Sequence, residues 1–116
     1  MEPILPRTAM ELKILLVDDN DIVRRLIRTQ LESWGYVVEE AGSGKKATEK
    51  LLRAAESAGR PNIVLADWSM PGMDGVALCR WVKSNPAYRK GPRVYVLFLT
   101  VNEGKEHETQ AFRAGA

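Results

Sequence analysis

Four short apolar runs, at 12–17, 36–40, 62–67 and 94–100, alternate along the chain with stretches whose apolar residues recur at helical spacing. Strands separated by helices cannot be joined by hairpins. Each needs a crossover, and the arrangement that accommodates successive right-handed crossovers is a parallel sheet with helices on both faces. Ligands of such sheets bind beyond the carboxyl ends of the strands, so the residues that close each run matter most. The first run delivers Asp18 and Asp19 to its tip, the third delivers Asp67, and the fourth ends on Thr100. If the first and third strands are neighbours, three carboxylates converge. Such a cluster repels itself and either raises its own pKa values or recruits a hard divalent cation such as Mg²⁺.

Between these strands the punctuation is regular. Asn20 or Asp21 can cap a helix whose apolar positions are Ile22, Val23, Leu26, Ile27, Leu31 and Trp34, with Arg24, Arg25 and Arg28 on the other face and Gly35 as its stop. After the second strand, the turn Gly42-Ser43-Gly44 offers Ser43 as the cap of a helix over 45–58, closed by Gly59 and Pro61. A third helix over 76–83 turns Leu78, Cys79 and Val82 inward after a cap at Asp74, and residues 84–86 break it before a polar connector at 87–92. The fourth run is continuous rather than alternating, as expected of a strand buried on both faces. The last stretch, 101–116, reads as a weak helix with Ala111, Phe112 and Ala114 as its few apolar positions.

A length of 116 residues leaves room for one domain. Seventeen basic residues against 15 acidic ones give a net charge of +2, and the bases are scattered, so direct nucleic-acid binding is not expected. Cys79 is the only cysteine, which excludes an internal disulfide and fits a reducing compartment. Neither a signal-like stretch nor an 18-residue apolar run is present, so no membrane association is expected and a cytoplasmic location is. The segment Gly42 to Lys46 hints at a phosphate-binding loop, but Glu39 stands where that motif needs glycine and Lys46 where it needs a hydroxyl. His107, the one histidine, lies among glutamates and reads as solvated decoration.

The Asp18-Asp19 pair, Asp67, the loop from Met70 to Gly75, Thr100 and the closing Ala114-Gly115-Ala116 together resemble a receiver domain of a bacterial two-component response regulator. The resemblance implies a flavodoxin-like α/β fold with strand order 2-1-3-4, a receiver over 12–116 and an N-terminal extension at 1–11. It implies that Asp67 accepts a phosphoryl group from a sensor histidine kinase or a phosphotransfer protein. Asp19, Asp67 and the backbone carbonyl of Ser69 would hold Mg²⁺, with Asp18 acting through bound water. The backbone N–H groups of Trp68 and Val101 would contact the phosphoryl group, and Thr100 and Val101 would form the switch. The role is that of a phosphoacceptor rather than an enzyme, with at most self-phosphorylation from small donors and autodephosphorylation.

The family pattern continues into a fifth strand bearing a lysine and a fifth helix, so the chain is expected to end short of both and to lack that catalytic lysine. The fourth strand should then be an exposed edge, inviting a homodimer through it and the last helix. Val101 stands where the family usually has a smaller residue and is expected to hinder an attacking water. Two other functions compete. A Mg²⁺-dependent aspartyl phosphatase would want a second carboxylate where Ser69 stands, and a receiver-like interaction module would carry out no phosphotransfer.

Overall fold

The computed structural model of the protein describes residues 12–55 and 59–99. Four parallel strands, β1 (Lys13–Val17), β2 (Val37–Ala41), β3 (Ile63–Asp67) and β4 (Tyr95–Leu99), form one sheet in the order β2-β1-β3-β4. Val17 faces Ala41 on one side and Ala66 on the other, so β1 and β3 leave the sheet at the same level, and Asp18 and Asp67 are the residues they release. The doubly wound order 2-1-3-4 is the one expected.

Among the described residues four helices flank the sheet: α1 (Asp21–Ser33), α2 (Gly44–Ala54), α3 (Gly75–Ser84) and the short α4 (Pro86–Arg89). Side chains alternate across a strand, so the core divides in two. Ile14, Leu16 and Val38 meet Leu31 of α1 on one face, while Leu15, Val17, Val64 and Val96 meet Leu51 of α2 and Leu78, Cys79 and Val82 of α3 on the other. Each fully buried leucine contributes about 1.5–3 kcal/mol. The helix starts are set by side chains that take up orphaned N–H groups, each such cap being worth about 1 kcal/mol. Asn20 Oδ1 accepts from Ile22 and Val23, Ser43 Oγ from Lys46, and Asp74 Oδ1 from Ala77. At the far end of α1, Gly35 takes a φ of 95°, and it and Tyr36 donate to the carbonyls of Glu32 and Leu31.

Three expectations are corrected. In α1 only Leu31 is buried and Ile27 packs partly on the core, whereas Ile22, Val23, Leu26 and Trp34 are exposed. The face turned to the sheet runs through Arg24, Ile27, Arg28 and Leu31, because Glu40 on β2 points to that side and binds both guanidiniums. Charge, satisfied by charge, has taken the inward positions that an apolar count would assign to leucine and isoleucine. In β4, Val96 is buried but Tyr95 and Leu97 are about half exposed, at 54% and 50%. Among the described residues β3 is the one strand beside β4, and α1 lies over β1 and β2 rather than over that edge. Finally, the connector at 87–92 begins as the helix α4, since Pro86 supplies a helical φ and Asn85 Oδ1 accepts from the N–H of Ala87.

The expected helix over 101–116, Thr100, Val101 and the extension at 1–11 lie outside the described residues. Among the described residues no helix is long and apolar enough to cross a membrane.

Candidate functional site

Asp18, Asp19 and Asp67 each offer a carboxylate oxygen, and the three oxygens lie within 4.8 Å of one another. Asp18 is buried, Asp19 is exposed and Asp67 lies between these extremes. Asp18 is held at three points. Its N–H donates to the carbonyl of Ala41 at 3.2 Å, its Oδ1 accepts from the N–H of Asn20 at 2.9 Å, and its own carbonyl accepts from Arg24 Nη1 at 2.7 Å. Asp67 is the last residue of β3 and receives the N–H of Ser69 at 3.5 Å. Burial first, and then the Asp18 carboxylate, push the Asp67 carboxyl above the usual carboxylate range. The N–H groups of Ser69 and Trp68 oppose that rise, and Asp19 adds to it.

Hard oxygen donors of this kind suit Mg²⁺, whose ligands sit at about 2.1 Å and hence no more than about 4.2 Å apart across the ion. Among the described residues the cluster's negative charge has no neutralising base in its immediate carboxylate contacts: Arg24 reaches the Asp18 backbone rather than its side chain. The residues present therefore fit a divalent cation.

The loop after Asp67 is anchored on both sides. The N–H of Trp68 donates to the carbonyl of Leu99 at 3.3 Å and the N–H of Gly75 donates to the carbonyl of Trp68 at 3.1 Å. The Trp68 ring is buried and meets Phe98 of β4 edge to face, with centroids 4.8 Å apart. Met70 is buried beneath the loop, and Gly72 turns it with a φ of 75°. The Trp68 N–H expected to contact a phosphoryl group is thus already part of the ladder to β4.

Two residues of the site carry no role that the sequence alone suggests. Gly75 begins α3 against the backbone of Asp67, where an added β-carbon would overlap the Asp67 carbonyl. The signal lay in the sequence as a glycine directly after the capping Asp74. Arg24, which the helical spacing puts on the solvent face of α1, instead reaches the acidic turn, with its side chain only 12% exposed. Its signal, an arginine five residues after the acid pair, is indistinguishable in sequence from Arg25, which remains exposed.

The geometry has counterparts among known proteins. The transcriptional regulatory protein ResD of Bacillus subtilis is 35% identical over 105 residues, which are 90% of this chain and 39% of ResD, so the chain spans well under half of that relative. The chemotaxis protein CheY4 of Vibrio cholerae superposes with a TM-score of 0.78 at 29% identity, covering 91% of this chain and 82% of CheY4. The receiver domain of the histidine kinase CKI1 from Arabidopsis thaliana, solved in complex with Mg²⁺, superposes with a TM-score of 0.75 at 27% identity, covering 90% of this chain and 78% of that domain. Residues 14–116 match the response regulator receiver domain family as a unit. With a 2-1-3-4 parallel sheet and acidic residues at the tips of its first and third strands, the chain belongs to the family of response regulator receiver domains.

Proposed function

We propose that the chain is a phosphoacceptor, a receiver unit over 12–116 that takes a phosphoryl group on Asp67 from a histidine kinase or phosphotransfer protein in a Mg²⁺-dependent reaction. The observation that carries this reading is the convergence of Asp18, Asp19 and Asp67 within 4.8 Å at adjacent strand tips. A carboxylate oxygen of Asp67 attacks phosphorus in line. The new O–P bond forms as the P–N bond of the phosphohistidine breaks, and the imidazole nitrogen leaves with the electron pair. Mg²⁺, when bound, neutralises charge on the transferring oxygens. Asp19, Asp67 and the Ser69 carbonyl are its ligands in this reading, and Asp18 completes the acid set.

The phosphorylated Asp67 carries about −1.5 to −2 charges if phosphoserine is a fair guide. Thr100 then turns its hydroxyl to the new oxygens, the N–H of Val101 supplies a further donor, as does that of Trp68 on leaving the Leu99 carbonyl, and the change is relayed through β4. Trp68 and Phe98 give that relay a packed contact on which to act. The donor protein has an apolar surface to settle on, since Ile22, Val23 and Leu26 are exposed on α1, the helix that follows the acid pair. Among the described residues β3 is the one strand beside β4, and Tyr95 and Leu97 are half exposed, which supports pairing of the chain with a second copy of itself. A cytoplasmic location belongs to the same reading.

The test is a titration with Mg²⁺ followed by beryllofluoride or acetyl phosphate, reading tryptophan emission, in the wild type and in Asp67→Asn. A response in the wild type that Asp67→Asn abolishes is expected. Silence in both would favour an interaction module without phosphotransfer, and sustained turnover of a phosphate ester would favour a phosphatase.

A further inference from the structure

We propose that Arg24 is a positioning residue for the Mg²⁺ site, holding the turn from Asp18 to Asp19 so that both carboxylates keep the spacing a small cation requires. The inference rests on the metal-dependent reading above. Every nitrogen of the guanidinium is engaged. Nε donates to Glu40 Oε1 at 2.8 Å, Nη1 to the Asp18 carbonyl at 2.7 Å, and Nη2 pairs with Asp21 Oδ1 at 2.8 Å. The three acceptors belong to three parts of the fold, namely β2, the tip of β1 and the first turn of α1. Nη1 also lies against Gly42, where an added β-carbon would sit 3.4 Å away.

This arrangement opposes the force that would otherwise disperse the site. Adjacent carboxylates at Asp18 and Asp19 repel each other and Asp67, and the cheapest relief is rotation of the peptide that joins the acid pair. Arg24 binds the carbonyl of that peptide. A planar fork fixed at its other two corners resists that rotation in a way a single ammonium cannot. Its charge is matched by Asp21 and Glu40, so its effect on the cluster is geometric more than coulombic. Removing such outer partners of metal ligands lowers metal affinity by about 10–100-fold.

Arg28 provides the control. It binds the same Glu40, through Nη1 to Oε2 at 2.6 Å, and pairs with Glu32, yet it makes no bond to the acidic turn. The test compares Arg24→Lys with Arg28→Lys, measuring Mg²⁺ and Ca²⁺ affinity by tryptophan emission and thermal unfolding without metal. Arg24→Lys is expected to weaken Mg²⁺ about tenfold and Ca²⁺ less, because Mg²⁺ demands near-octahedral geometry while Ca²⁺ tolerates irregular shells. Arg28→Lys is expected to leave both affinities at wild-type values.

Equal Mg²⁺ affinity in Arg24→Lys and wild type overturns the proposal. So does an equal loss for both ions, or a matching loss in Arg28→Lys, since a purely structural arginine would give those results. If Arg24→Lys does not fold, Glu40→Gln, which loosens Arg24 at Nε, carries the same comparison. A lowered ratio of Mg²⁺ to Ca²⁺ affinity in that variant supports the proposal, and an unchanged ratio overturns it. A wild-type protein that binds no Mg²⁺ would instead overturn the phosphoacceptor reading itself.

Discussion

Gly75, the first residue of α3, abuts the backbone carbonyl of Asp67 so closely that a β-carbon there would overlap the oxygen and crowd the ring of Phe98. The third helix is thus seated directly on the residue proposed to accept phosphate. Alanine would normally be preferred over glycine in a helix by up to about 1 kcal/mol. Here the overlap with backbone outweighs that gain. Gly75→Ala should destabilise the protein by about 1–3 kcal/mol, the usual effect of overpacking, read as a lower urea midpoint at unchanged slope. It should also lower acetyl-phosphate labelling of Asp67.

The raised pKa of Asp67 has a definite sign in stability. A carboxyl whose folded value exceeds its unfolded value favours the folded state most when protonated in both, below the ordinary value of 3.8. That contribution is lost as pH climbs through the folded value, which leaves the ionised, repelled carboxylate at neutral pH. Asp67→Asn should therefore be more stable than wild type at pH 7 without Mg²⁺, and the difference should vanish at about pH 3. Denaturation midpoints at the two pH values measure it, and a variant less stable at pH 7 would contradict it.

Arg60 ties the end of α2 to the approach to β4. Its guanidinium donates to the carbonyls of Ala55, Ala87, Tyr88, Lys90 and Pro92 and lies 4.3 Å from the centre of the Tyr88 ring. Tyr88 in turn donates its hydroxyl to the Leu51 carbonyl at 2.5 Å. Arg60→Met strands several partly buried carbonyls and should lower stability by about 2–4 kcal/mol, seen as a drop in thermal midpoint. Mg²⁺ affinity, measured well below that midpoint, should not change.

Leu97 tests the β4 edge. Its side chain is half exposed, so Leu97→Lys should alter the stability of the single chain by less than about 0.5 kcal/mol. A lysine on an edge strand nevertheless opposes pairing. Sedimentation should report a dimer for the wild-type 116-residue chain and a monomer for the variant. A wild-type monomer at high concentration would remove the proposed self-association.

The order of elements and the acid cluster were legible because each rests on local rules. Apolar runs of strand length, helical spacing between them, and caps at Asn20, Ser43 and Asp74 all agree with the sheet that forms. The strand tips then follow from topology, which is why Asp18, Asp19 and Asp67 meet as expected. What escaped was long-range pairing. Glu40 reads as the solvated end of a strand, and nothing near it in sequence says that it will gather Arg24 and Arg28 from a helix 12–16 residues away. The half-exposed side chains of Tyr95 and Leu97 depart from the doubly buried strand that a continuous apolar run implies, though not from the exposed edge expected there, since such a run shows hydrophobicity but not which neighbour covers it.

The ionic seating of α1 on β2 carries a consequence for how such a domain diversifies. A helix moored by guanidinium and carboxylate spends little of its greasy surface on its own scaffold, so Ile22, Val23 and Leu26 can be exchanged with small effect on folding. On the proposed docking of a donor protein there, partner choice and architectural integrity would be written in separate alphabets on one helix, and the first could drift while the second stands.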